Sequence, residues 1–341
     1  MRVLFTPHVA HYTIGLSQEL SKYLRLVLLT DRRFDTPSKQ VVIPNLPIPN
    51  FKGLVKWFFF RPFSPLFDVI HVNSSQEGLF AGNFGKLVVT EHGWPDPKLV
   101  EKSELQYYLK ERDALIQLYK EGARITTVSN YSAEMLKRIY GIRTHRVIRH
   151  GLLEMFLSHT PKEASKEQRV LWVSRLVSMK EPLVFLNALV RIRDKLSFKA
   201  FLRGDGPLRR ALENYVNKNG LEGKVFFKNR VDFRKLPNLY DSCSIYVHSC
   251  SREPFGLSIL EAMGSGLPVI VPSSGGAYEV AGEAALAFKP QDPEDLAEKI
   301  SSLACDAELY EKLSRKSLER ARKFTWKKAA KEYLEVYKEI I

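Results

Sequence analysis

The chain has 341 residues, 45% hydrophobic and 26% charged, which fits two ordinary water-soluble domains with real cores. Its formal charge of +14 favours anionic partners, but the basic residues are spread along the chain with no nucleic-acid motif beside them, so no nucleic acid is expected. No secretory pattern or spanning apolar run is present, and Cys243, Cys250 and Cys305 show neither a disulfide framework nor metal-ligand spacing, so a cytoplasmic protein without metal or other cofactor is expected.

In chain order, short apolar runs with β-branched residues predict strands over 2–5, 24–29, 41–43, 69–72, 87–90, 125–128 and 146–148. Helical stretches are predicted over 14–23, 101–121 and 132–140. The segment 53–63 is basic and aromatic. It reads as a core helix of the first half, or as a segment that lies on a membrane surface and brings a lipid-linked partner within reach. Residues 158–168 are polar and read as a linker. Beyond it the alternation repeats, with strands over 169–173, 199–203, 224–228, 245–248 and 268–271. Helices are predicted over 182–196, 208–219, 235–243, 254–263 and 293–303, and the tail from 307 to 341 is helical and amphipathic. Strands that alternate with helices imply an α/β protein with parallel sheets covered on both faces.

Such sheets bind ligands at the carboxyl ends of their strands, and two facing domains offer the cleft between them. In the first half those ends carry His8, His11, Asn73 and Glu91-His92-Gly93. In the second they carry Ser174-Arg175, Gly204-Asp-Gly206, Arg230, the stretch from Ser249 to Glu253, and Pro272 to Gly276. The second set holds more turn glycines and two charges suited to phosphate. It therefore takes the nucleotide part of a donor, and the first half takes an acceptor.

The most informative stretch runs from Ser249 to Val271, with Glu253 and Glu261 standing eight apart. Pro254 is favoured at a helix start, and the N–H groups of Phe255, Gly256 and Leu257 would then be unpaired in the first turn. Those donors and the helix dipole attract phosphate, and Gly256 lets a ligand come close to the backbone. A phosphate cradle with a carboxylate at each end suits a molecule with a central diphosphate and hydroxyls at both ends. A nucleotide sugar is such a molecule, although two surface glutamates at this spacing also occur by chance.

These residues resemble the donor domain of retaining glycosyltransferases of family GT4, which have the GT-B fold of two facing Rossmann-like domains. The resemblance is carried by Val173-Ser-Arg175-Leu with Lys180, Gly204-Asp-Gly-Pro207, Val225-Phe-Phe, the Glu253…Glu261 segment, Gly275-Gly-Ala-Tyr-Glu279, and Arg320-Ala-Arg-Lys-Phe-Thr-Trp326. It implies an acceptor-binding domain over 1–157 and a nucleotide-sugar domain over 158–324. A C-terminal helix over about 325–341 crosses back to the first domain.

The resemblance also implies roles. Arg175 and Lys180 clamp the donor diphosphate without a metal, and Phe255, Gly256 and Leu257 offer it backbone donors. Gly204 lets the donor pass near the strand end, Glu261 meets the ribose, and Glu253 faces the sugar near the reacting carbon. The stretch 229–231 lies where the family contacts the base. His92 comes near the donor sugar, or is a satisfied, partly buried histidine.

The family's paired glycines after the first strand are replaced by His11 and Tyr12. Either that loop lies elsewhere or these two serve the acceptor. The implied activity is metal-independent transfer of a hexose from a UDP-, GDP- or ADP-linked donor to a sugar or lipid-linked hydroxyl. The alternatives are a nucleotide-sugar epimerase of the same fold and a basic, non-enzymatic nucleic-acid binder.

Overall fold

The computed structural model describes residues 1–43, 64–94, 98, 100–102, 104–158, 160–164, 167–229 and 231–341. The segment 53–63 lies outside them, as does Arg230. The chain divides into two compact units, Met1–Leu153 with Thr325–Ile341, and Glu154–Phe324.

In unit 1 the strands are β1 (Arg2–Phe5), β2 (Arg25–Thr30), β3 (Lys39–Val42), β4 (Val69–Val72), β5 (Leu87–Glu91), β6 (Arg124–Thr127) and β7 (Arg146–Val147). They form one parallel sheet in the order β3-β2-β1-β4-β5-β6-β7. The helices are α1 (Ala10–Leu20), α2 (Ser75–Gly78), α3 (Leu105–Lys120) and α4 (Asn130–Tyr140). Val69 to Val72 are buried throughout, as expected of a strand covered on both faces.

Unit 2 has β8 (Gln168–Val173), β9 (Phe198–Arg203), β10 (Val225–Lys228), β11 (Ile245–Val247), β12 (Val269–Pro272) and β13 (Ala285–Phe288). They pair in parallel in the order β10-β9-β8-β11-β12-β13. The chain runs outward from β8 to one edge and returns to lay β11 on the other side of β8. The switch point of this doubly wound sheet therefore lies between the ends of β8 and β11, where such sheets hold ligands. The helices are α5 (Pro182–Ile192), α6 (Arg209–Lys218), α7 (Leu236–Asp241), α8 (Leu257–Gly264), α9 (Gly275–Ala281), α10 (Pro293–Cys305) and α11 (Ala307–Ala321). The last helix, α12 (Trp326–Lys338), belongs to unit 1 and packs on α1.

Several boundaries depart from the sequence expectation. α1 starts at Ala10 instead of 14, so His11 and Tyr12 sit in a helix and not in a loop. Val9 caps that helix with no side-chain hydrogen bond, which is why its start carries no signature. α8 starts at Leu257 instead of Pro254, because Gly256 takes a left-handed φ of +97° and breaks the turn that Pro254 would open. The tail is two helices, split where Thr325 caps α12 by accepting from Lys328 N. The stretch read as a linker is pinned to unit 2. Ser158 N donates to Gly264 O (2.7 Å), Lys162 N to Ser314 Oγ (2.8 Å) and Lys162 Nζ to Asp241 O (2.8 Å). Among the described residues no helix is long and apolar enough to cross a membrane.

Candidate active site

The end of β8 leads into a loop whose short 3-10 turn, Ser178–Lys180, delivers Lys180. The end of β11 leads into the loop that delivers His248 and Glu253. Side chains hold these two loops together. Ser249 Oγ accepts from Trp172 Nε1 (2.9 Å) and donates to Lys180 O (3.0 Å), while Cys250 Sγ donates to Met179 O (3.0 Å). Glu181 takes both Ser251 N (3.0 Å) and Ser251 Oγ (2.7 Å) on its carboxylate. It does so from a left-handed φ of +51°, a conformation that a non-glycine residue holds only when its surroundings fix it.

A third segment joins them. Ser274 Oγ donates to Ser251 O (2.8 Å) and Gly276 N to Glu253 O (2.7 Å). Gly276 has no room for a side chain, since a Cβ there would stand 2.0 Å from Pro254 O.

Within this frame the side chain of Glu253 is 13% exposed, and its Oε2 receives Lys180 Nζ at 2.7 Å. His248 Nε2 stands 3.1 Å from the same oxygen, off the hydrogen-bond line, and His248 Nδ1 meets no polar partner among the described residues. Every described contact to this carboxylate falls on Oε2, and none falls on Oε1. Burial works to raise the pKa of Glu253, but Lys180 and His248 outweigh it and hold the carboxyl well below its usual range. Lys180 answers in kind: burial works against its charge, Glu253 more than compensates, and its pKa rises.

Next to this pair α8 begins. Ile259 N and Leu260 N both donate to Gly256 O, while no described group accepts from the N–H groups of Gly256, Leu257 or Ser258. That leaves donors at a helix start beside a cation, an arrangement that attracts phosphate. The Phe255 side chain is buried against Phe324 (ring centroids 6.1 Å apart), turned away from any ligand at the helix start.

Glu261 lies further along α8, 6% exposed, with Oε2 accepting from Tyr240 OH at 2.7 Å. Arg175 is exposed just past β8, and its charge is felt at Lys180. Gly204 serves the protein's own packing, because a Cβ there would stand 1.8 Å from Ser174 O. At the base-contact stretch, Asn229 Oδ1 accepts from Arg209 Nη1 at 2.6 Å.

His248, Cys250 and Glu253 bring possible ligand atoms within 4.8 Å of one another, a cluster that the cysteine spacing did not disclose. A metal ion there would have to displace the Lys180 ammonium and deprotonate Cys250, whose thiol burial pushes up to about 12.

Unit 1 has its own cluster at its strand ends. His92 follows β5, with Nε2 2.9 Å from Asn73 Oδ1. Asn73 Nδ2 donates to Thr6 O, which fixes the amide, so His92 Nε2 is the protonated nitrogen and Nδ1 is bare. The ring stacks on His8 (3.8 Å between centroids) and His150 (5.3 Å), and burial with help from these neighbours holds its pKa well below the usual value.

Tyr12 is wholly buried, with its hydroxyl 3.3 Å from Tyr333 OH, and His11 Nε2 lies 3.2 Å from Gly151 O. Both pack against α12 within unit 1. The structure therefore adds His248 and Glu181 to the residues read from the sequence and places His11 and Tyr12 among the buried residues of unit 1.

Two parallel doubly wound sheets, one carrying a cation–carboxylate pair beside a helix start at its switch point, make an α/β protein of GT-B fold. The comparisons agree. The family model for glycosyl transferases group 1 matches residues 157–320, and that for glycosyltransferase family 4 matches 9–152. The uncharacterized glycosyltransferase MJ1607 of Methanocaldococcus jannaschii is 30% identical over 175 residues, covering 50% of this chain and 45% of that relative. The chain thus spans about half the length of the curated relatives it matches first.

Among solved structures, sucrose-phosphate synthase from Thermosynechococcus elongatus superposes with a TM-score of 0.79 at 20% identity, covering 100% of this chain and 99% of that one. HepE of Anabaena in complex with UDP-glucose gives 0.77 at 19%, covering 99% and 100%. The chain belongs to the family 4 glycosyltransferases.

Proposed function

We propose that the chain transfers a hexose from a nucleoside diphosphate sugar to a hydroxyl of a sugar or lipid-linked acceptor, with retention at the anomeric carbon and without a metal. The observation that carries this reading is the Lys180–Glu253 pair at the β8/β11 switch point, beside the unoccupied N–H groups of Gly256, Leu257 and Ser258. The Anabaena relative's complex with UDP-glucose supports a donor of this class.

In this reading Lys180, Arg175 and the three N–H groups hold the diphosphate, while Glu253 Oε1 accepts from a sugar hydroxyl and Glu261 from the ribose. The acceptor oxygen attacks the anomeric carbon on the face that the diphosphate leaves. The bond from that carbon to the phosphate oxygen breaks, the new glycosidic bond forms, and the acceptor's proton passes to the departing phosphate. No strong protein base is then needed. His92, whose depressed pKa makes it a poor base, is assigned to substrate contact and not to proton transfer.

The test is calorimetric titration with UDP-glucose, GDP-mannose and ADP-glucose, followed by product analysis with and without EDTA. The expected result is binding of one donor, unchanged turnover in EDTA and an α-linked product from an α-linked donor. Binding of none of the three overturns the reading, and an inverted product overturns its stereochemistry.

A further inference from the structure

We infer that His248 is a positioning residue that acts through Glu253: the Lys180 ammonium holds one carboxylate oxygen, the His248 imidazole closes on the same oxygen from a second loop, and together they aim the other at the donor sugar. This inference rests on the donor-site reading above. Lys180 alone fixes where Oε2 sits but leaves the carboxylate free to swing about that point. A second group on the same oxygen, from another direction, removes that freedom.

Lys180 comes from the turn after β8 and His248 from the end of β11, so the two grips belong to neighbouring strands of one sheet. His248 is itself held. Its backbone N donates to Ile270 O at 2.9 Å, and its residue is 2% exposed. It is too buried to touch solvent, and Nε2 is 3.1 Å from Glu253 Oε2. Neither buried ring nitrogen makes a hydrogen bond among the described residues, a cost that an apolar residue in this position would avoid. That cost is explained if Nε2 has work to do at Glu253.

The consequence is selective. The diphosphate contacts from Lys180, Arg175 and α8 do not involve His248, so nucleotide binding is spared when His248 is lost and only sugar recognition suffers. A merely structural histidine would weaken both.

The experiment compares wild-type, His248→Ala and His248→Gln for binding of the preferred donor among UDP-glucose, GDP-mannose and ADP-glucose, and of the matching nucleoside diphosphate. For His248→Ala the donor sugar is expected to bind about tenfold more weakly, with the nucleoside diphosphate within about twofold of wild-type. His248→Gln, which keeps an N–H donor of similar reach, is expected to recover most of the loss. Equal weakening for both ligands, or no weakening, overturns the inference.

Should His248→Ala not fold, His248→Leu fills the space without a donor and takes its place. A crystal structure of His248→Leu without ligand reads the grip directly. A Glu253 carboxylate that keeps its wild-type orientation overturns the inference whether or not any donor binds. Failure of wild-type to bind all three donors, by contrast, overturns the donor-site reading.

Discussion

Glu253 has two oxygens in different surroundings. One is gripped by Lys180 and faced by His248, and the other meets no described group. The side chains of Lys180 and Glu253 are 14% and 13% exposed, so their pairing is stronger than that of a surface pair, and breaking it leaves a charge stranded. Lys180→Met is expected to cost about 3 kcal/mol in urea unfolding, since the carboxylate is left buried with one neighbour. A cost below about 1 kcal/mol would show that water compensates the carboxylate.

Glu253→Gln keeps the shape and removes the charge. It is expected to lower kcat/KM with the donor by about ten- to a hundredfold, the worth of a hydrogen bond to an ionised group. At this scale the sequence discloses the charged residues but not their partners. The pattern names Lys180 and Glu253 separately, and nothing in one dimension shows that they meet. His248 reads as the last residue of a strand, and it is one more buried position until the fold puts its ring beside a carboxylate 3.1 Å away.

At the scale of elements, the site is three loops fastened by short contacts. Gly276 is where the third loop meets the second. Its would-be Cβ falls 2.0 Å from Pro254 O and 2.8 Å from Phe255 N, both backbone atoms that cannot turn aside. Gly276→Ala is therefore expected to push the 253–256 segment out of place. Donor affinity should fall at least about tenfold, while the melting curve moves by an amount corresponding to about 1–3 kcal/mol. Unchanged affinity, measured by titration, would mean that α9 yields and the site does not.

In unit 1 the equivalent close fit is Gly15 on α1, where a Cβ would stand 2.1 Å from Trp326 Nε1 on α12. Gly15→Ala should loosen α12, seen as faster amide exchange over 326–338 with unit 2 unaffected. The elements themselves are mostly legible, because buried parallel strands are continuous apolar runs and the helices between them are amphipathic. Three elements escape this pattern: the short helices α2 and α9, which are too brief to show a period, and β13. Ala-Leu-Ala-Phe at a sheet edge lacks β-branched residues, and only pairing with β12 makes it a strand. The start of α8 escapes it too, since a proline invites a helix and only the left-handed Gly256 refuses it.

For the whole molecule, buried titrating groups shape the response to pH. His71 is pushed down to about 3 by burial between Tyr337 and Thr90, against an ordinary 6.5, and burial also holds His150 well below its usual value. The unfolded chain binds protons near pH 6.5 that these folded sites refuse. Stability therefore falls as pH drops through 6.5, at roughly 1.4 kcal/mol per pH unit for each such group. Glu253, depressed in the folded state, adds a further loss below its ordinary 4.5.

Glu91 runs the other way. Burial and the nearby Glu111 push it up to about 8, so the folded state keeps a proton that the unfolded chain gives up above 4.5, and stability is lost as pH rises toward 8. The expected curve from urea unfolding has its maximum near about pH 6.5–7, and Glu91→Gln flattens the alkaline side. A curve still rising between pH 7 and 8 would contradict the placement of Glu91.

Unit 1 is built from both extremities of the sequence, and the whole of unit 2 is written between them. On a ribosome, then, the first 153 residues emerge long before the residues that complete their core: Tyr333 and Tyr337 cover Tyr12 and His71 only after some 170 further residues have been made. Unit 2 can finish first although it starts second. Completion of unit 1 thus waits on residues made after all of unit 2, and a chain stopped before residue 325 would leave unit 1 with an uncovered apolar face.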